Sequence, residues 1–396
     1  INILKGIPMV NFTLFSQIVS KFDRYEFNKV VKKEDSDKFN KGMNSWAHFI
    51  AAIFCQFSKS DSLRDIANGM RSATGNLNHL GVAKAPSKSS ISYQNQRRGW
   101  ELFRDYYYIM LDKLSAEAGF KQRKFKIKSK IYLLDSTTIP LCLSLFDWAK
   151  YKRAKGAIKL HTLLDYDGNL PSYMHITDGK VGDNKGAIDI PLVKNSVIVA
   201  DRYYFDSAML SKWDSNDVYF VIRMKENILF TSLKELDLPE DRYEHILKDE
   251  MIEFKGKNPR EKYPKRLRRV AIYDEKNDTV IELITNQLSW TANTISELYK
   301  ARWQIEIFFK EIKQLLKIKS FIGTSENAVM IQVWTAMITI LMLKFLKAIA
   351  KYSWHLSNLV SFLRLNLFVK ISLQKWLDNP FEKDVGKPPG SQLSLF

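Results

Sequence analysis

The sequence predicts a mixed α+β protein: an all-helical N-terminal region, a central sheet, a small β-rich insertion and C-terminal helices. Three patterns carry this expectation. Up to about Ala118 the apolar residues recur at helical spacing, and from Ile131 short apolar runs alternate with turns and helical stretches. The stretch Tyr299 to Lys319 contains no Gly or Pro and keeps a helical period throughout. With 396 residues, 45% of them hydrophobic, the chain can bury cores for two or three domains.

Charge narrows the partner. The net charge of +18 and a pI near 9.5 favour a polyanion, nucleic acid before membrane. Two cysteines in apolar contexts, Cys55 and Cys142, argue against a disulfide framework or a Cys-based metal site and fit a reducing cytosol. The most apolar run, Ala328 to Leu343, is interrupted by Gln332 and falls short of a spanning length, so it reads as a buried helix. The start INILKGIPMVNF lacks the apolar centre of a cleavable signal. Because residue 1 is Ile, either Met9 is the true start or the chain is a fragment.

In the N-terminal region, Trp46, Phe49, Ile50, Ile53, Phe54 and Phe57 mark one face of a core helix. Ser62, with Asp65 three residues on, marks the start of a second. A connection rich in Gly, Asn and Pro leads to SKSSISYQNQRRGW, a polar helix start of the kind a helix-turn-helix protein presents to a DNA groove. Ser89, Ser90, Tyr93, Asn95, Arg97 and Arg98 are the candidate contacts there. Residues 121–130 then carry six cations and no acid, which suits phosphate contact on entry to the next domain.

Ile131 to Leu134 is a continuous apolar run closed by Asp135, as a central strand requires. AIKLHTLLD and PSYMHITD read as two more strands joined by a tight turn, and residues 185–194 as a short helix. SVIVAD supplies a further buried strand closed by Asp201, followed by a helix over Ser207 to Trp213 and the strand VYFVIRM. This succession of strands and helices is the ribonuclease H-like order, which sets strand ends side by side. Between Phe230 and Trp290, EMIEF and the hairpin RLRRVAIYDEKNDTVIELITN imply a β-rich insertion. Lys255, Lys257, Arg260, Lys262, Lys265, Arg266, Arg268 and Arg269 form its expected basic rim.

On the helix over 299–319, Tyr299, Arg302, Glu306, Lys310 and Lys313 fall within an arc of roughly 80°. Ile305, Phe308, Phe309, Ile312, Leu315 and Leu316 occupy the neighbouring, buried arc. The spacing Tyr-x2-Arg-x3-Glu-x6-Lys resembles the Y-R-E-K signature of insertion-sequence transposases of the IS-four family.

That resemblance, covering most of the chain, implies a DDE catalytic triad on a ribonuclease H-like core: Asp135, Asp201 and Glu306, holding two Mg²⁺ ions with Mn²⁺ a substitute. It further implies that Tyr299, Arg302 and Lys313 grip the phosphates of a transposon end, with Lys310 assisting. Trp303 either stacks on an unstacked base of a hairpin end or packs in the core. The sequence departs from the family at Tyr203, where a small residue is usual, and at Gly182-Asp183, where His-Asp is usual, which leaves the role of Asp183 open. The expected organisation is a helical DNA-binding domain over 1–118, core over 126–229, basic insertion over 230–291, core with the signature helix over 292–350, C-terminal helices over 351–380 and a disordered tail over 381–396. The expected activity is cleavage at terminal inverted repeats and joining to target DNA by a homodimer in the bacterial cytoplasm, associated with the nucleoid. A metal-dependent nuclease of the same fold and a non-catalytic DNA-binding regulator are the alternatives.

Overall fold

The computed structural model describes residues 11–381 except 41, 74, 120–124, 126, 142–147, 149, 153–154 and 239. The expected tail, the start before residue 11, Cys142 and half of the basic stretch 121–130 lie outside the described residues.

Six helices precede the sheet: α1 Leu14–Val19, α2 Arg24–Lys33, α3 Ser45–Ser58, α4 Leu63–Ser72, α5 Lys88–Arg97 and α6 Glu101–Ala118. Most begin with a polar side chain that caps an otherwise orphan amide, as Ser62 does for the Asp65 N–H at 3.2 Å. The expected groove-reading helix α5 keeps Ser89, Tyr93 and Arg97 exposed. Asn95 and Arg98 instead turn inward: the Asn95 Oδ1 lies 2.7 Å from buried His48, and Arg98 donates to Asp37 and to the Met43 carbonyl. Those two side chains tie helices together, which corrects their expected exposure.

The sheet opens with β1 Ile131–Leu141, β2 Lys150–Lys152, β3 Lys155–Asp165 and β4 Leu170–Asp178. A single helical turn α7, Asp183–Gly186, leads to β5 Val197–Ala200, and α8 Ser207–Ser215 leads to β6 Tyr219–Arg223. The helix expected over 185–194 is thus a single turn that ends at Gly186, and Pro191, which has no N–H, stands against a helix running to 194. Strand order β4-β3-β1-β5-β6, with β1, β5 and β6 parallel and β3 antiparallel, is the ribonuclease H-like arrangement.

Four further strands continue the same sheet beyond β6: β7 Phe230–Glu235, β8 Ile246–Phe254, β9 Leu267–Asp274 and β10 Thr279–Thr285, with α9 Lys257–Lys262 between β8 and β9. They join through β10, whose Leu283, Ile284 and Thr285 pair with β6. Arg268 and Arg269 do not reach the expected rim. As neighbours on β9 they point to opposite faces, both of which are covered: Arg268 forms a bidentate pair with Asp249, and Arg269 bridges Glu250 and Glu282.

The helical part closes with α10 Ala292–Ala301, α11 Trp303–Leu315, α12 Glu326–Ile349, α13 Leu356–Asn366 and α14 Leu373–Asp378. The single helix expected over 299–319 is two helices and ends at Leu315. At the joint, the Arg302 N–H bonds to the Tyr299 carbonyl and the Ile305 N–H to the Arg302 carbonyl, a three-residue spacing that tightens the chain locally. One face of the sheet (Leu133, Val199, Val221) packs with α6, α11 and α12; the other (Leu134, Ala200, Ile222) packs with α8. Helix α12 is long and apolar enough to cross a membrane, but 89% of its apolar stretch is buried against the rest of the protein, so it serves as the central core helix.

Breaking the Arg268–Asp249 pair leaves a carboxylate uncompensated at 2% exposure. Arg268→Met is expected to cost about 3–5 kcal/mol in denaturant-induced unfolding. It should leave the salt dependence of DNA affinity unchanged, whereas a rim arginine would alter that dependence.

Candidate active site

Register brings the first two acids together. Leu134 of β1 pairs with Ala200 of β5, so the next residues, Asp135 and Asp201, leave neighbouring parallel strands at the same level, roughly 4.8 Å apart across the ladder. The β1–β5 pairing stops there. Asp135 is nonetheless inside a strand rather than at its end, because β1 stays paired with β3 through Leu141 and Asp135 faces Thr162. The β-branched residues Thr137, Thr138 and Ile139 suit that continuation. Asp201 follows β5 and caps a short 3₁₀ turn, Arg202–Tyr204, by accepting the Tyr203 N–H at 2.8 Å.

Glu306 comes from the first turn of α11, which crosses β1. Arg302, at the joint between α10 and α11, reaches both acids: its Nη2 donates to Glu306 Oε1 at 2.7 Å and its Nη1 lies 3.5 Å from Asp135 Oδ2. Burial pushes the Asp135 carboxyl up to about 7, against the pull of the Ser136 N–H and the Arg302 guanidinium, while Asp201 and Glu306 push the same way as burial. Asp201 is raised as well, again chiefly by burial, with Asp183 adding to it. The acids thus sense one another in a poorly solvated corner.

An open cleft of about 480 Å³ lies over this corner, lined by Asp135, Thr137, Glu306, Lys310, Lys313 and Lys319 among others. The Lys313 ammonium is anchored on β1 by Thr137 Oγ1 at 2.5 Å and the Thr138 carbonyl at 3.1 Å, and burial lowers its pKa. Lys310 is exposed at the rim. Tyr299 is half-buried, with the Arg302 guanidinium 5.7 Å from its ring centre. Trp303 is not packed in the core: it is 55% exposed, outside the walls of the cleft, with Lys276 of the β9–β10 turn 5.8 Å from its ring. The pattern-based reading missed Ser136, whose N–H donates to Asp135 Oδ1 at 2.7 Å and whose hydroxyl donates to Asp183 Oδ1 at 2.5 Å. A serine after an acid carries no spacing signal that marks such a role.

Among the described residues, no three His, Cys, Asp or Glu side chains are gathered closely enough to ligate one ion as they stand. The donor set still fits a hard divalent cation in kind and in charge. It offers carboxylate oxygens only, two of the acids are held above their ordinary range by burial, and Arg302 bridges Asp135 and Glu306.

A family model for the transposase DDE domain matches residues 126–342, more than half of the chain. The chain belongs to the transposase DDE domain family. A putative transposase of Sinorhizobium fredii is 30% identical over 262 residues, 66% of this chain and 71% of its own length. A probable transposase for an insertion sequence element of Geobacillus stearothermophilus is 27% identical over 278 residues, 70% and 72% of the two chains. A putative transposase for an insertion sequence element of Synechocystis is 27% identical over 318 residues, 78% and 85%. Residues 10–83 match a domain of unknown function. As an IS-four-like DDE transposase, the protein belongs among enzymes of metal-dependent phosphoryl transfer on DNA, on a ribonuclease H-like fold.

The raised Asp135 pKa makes the metal-free protein pH-sensitive. The folded state keeps a proton that the unfolded chain releases near pH 4, so Asp135 lowers stability progressively as pH rises from about 4 to about 7, and no further above that. Asp135→Asn removes this dependence. In chelator, thermal melts should show the variant gaining on the wild type from pH 5 to pH 7.5, by on the order of 1–3 kcal/mol. Parallel melting curves across that range would contradict the assignment.

Proposed function

We propose that this protein is a DNA transposase that binds terminal inverted repeats, nicks to expose a 3′-hydroxyl, frees the end through a hairpin and joins it to target DNA. The observation that supports the reading is that Asp135 and Asp201 follow paired residues of neighbouring strands, while Arg302 links Asp135 to Glu306 beside a lysine-lined cleft. Asp135, Asp201 and Glu306 would hold Mg²⁺ ions, with Mn²⁺ a substitute. When bound, such ions polarise the phosphoryl oxygen and lower the pKa of the attacking hydroxyl or water.

The remaining work falls to the chain's own side chains. Lys313, already fixed against β1, presents its ammonium to a backbone phosphate in the cleft, and Lys310 adds a second charge at the rim. Arg302 neutralises the acids before substrate arrives and contacts phosphate, with Tyr299, once they are otherwise compensated. Trp303, exposed beside the cleft, offers a ring on which an unstacked base of a hairpin end can rest. The exposed face of α5 (Ser89, Tyr93, Arg97) supplies contacts to the inverted repeat. Two copies act on paired ends, in the bacterial cytoplasm at the nucleoid.

Asp135→Ala should abolish both cleavage and joining of DNA bearing the element's ends, yet leave gel-shift affinity in EDTA within about twofold. Cleavage without joining would instead support a nuclease, and DNA binding without either a regulator. The affinity itself should fall with salt at a log–log slope of about −5, as six phosphate contacts require, and Lys313→Ala should flatten the slope by about 1. A slope near zero would remove the phosphate-contact reading.

A further inference from the structure

We infer that Asp183, on the face of the sheet opposite α11, is a positioning residue for Asp135, acting through Ser136. The inference rests on the metal-binding role proposed for Asp135.

Successive residues of a strand point to opposite faces. Asp135 shares the face of Leu133 and meets Arg302, while Ser136, itself part of the cleft wall, shares the face of Leu134 and directs its hydroxyl to Asp183. Ser136 therefore faces both ways. Its hydroxyl donates to Asp183 Oδ1 at 2.5 Å on one side of the sheet, and its backbone N–H donates to Asp135 Oδ1 at 2.7 Å. Anchoring the hydroxyl fixes the peptide that aims the Asp135 carboxylate.

The anchor is itself held. Asp183 opens α7, and Lys159 of β3 reaches it at 3.3 Å while also donating to the Val181 carbonyl at 2.9 Å. His161, two residues along β3 and fully buried, lies 4.0 Å from the same carboxylate oxygen. The single turn of α7 approaches β3 this closely because Gly186 has no side chain: a Cβ there would sit 2.2 Å from the His161 ring. Partners that orient a ligating carboxylate in this way are commonly worth ten- to a hundredfold in metal affinity.

The test is Mn²⁺ binding to the full chain without DNA, followed by electron paramagnetic resonance, with thermal melts confirming that each variant is folded. Asp135→Ala is the reference. Asp183→Ala and Ser136→Ala are each expected to weaken Mn²⁺ binding about tenfold, and the double variant to weaken it no further than either alone, because both remove the same hydrogen bond. Ser136→Thr, which keeps the hydroxyl, should retain wild-type affinity. If Asp135→Ala abolishes binding while Asp183→Ala and Ser136→Ala stay within twofold of wild type, or their losses add, the positioning role is overturned and the metal reading stands. If the wild type shows no Asp135-dependent binding, both are overturned.

Discussion

Asp135 and Asp201 leave neighbouring strands side by side where water is scarce, with Glu306 linked to Asp135 through Arg302, and the structure is built around tolerating them. Buried like charges are costly unless something positive is near or protons are retained, and both remedies are visible: Arg302 bridges Asp135 and Glu306, and Asp135 titrates near neutrality. The placement follows from strand pairing, since the β1–β5 ladder ends at Leu134 and Ala200 and leaves the next two residues at an opening in the sheet. A carboxylate on a flexible loop would escape to solvent and would not be held beside its neighbour.

The two faces of the sheet divide the labour. On the α11 side stand the acids, the guanidinium of Arg302 and the lysines of the cleft. On the opposite side, Ser136, Asp183 and Lys159 form a polar layer above the core around Trp213 and Phe220. Rigidity comes from the helices outside. Trp334 of α12, 1% exposed, stacks against Trp100 near the start of α6, so the helical N-terminal part and α12 share one core. Gln56 of α3 reinforces this by bonding to the Gln332 carbonyl and to the Lys317 N–H.

Basic residues show how composition and location part company. A count of cations along 255–269 suggests a DNA-facing rim, yet Arg268 and Arg269 are spent inside on Asp249, Glu250 and Glu282, and Lys265 pairs with Asp214. Asn95 and Arg98 behave alike on α5. Their partners lie between 13 and 61 positions away in the chain, so no local pattern announces them.

By itself the sequence determined the helical face of α3, the apolar strands that lead to Asp135 and Asp201, the β9–β10 hairpin and the helical stripe from Tyr299 to Lys313, because each rests on short-range periodicity or turn chemistry. Tertiary structure alone decided that the signature helix breaks at Arg302, that β7–β10 extend the catalytic sheet, and that Ser136 and Asp183 stand behind Asp135. These depend on which strand lies beside which, and strand neighbours far apart in sequence are chosen by the packing of whole faces, not by any residue's own preference.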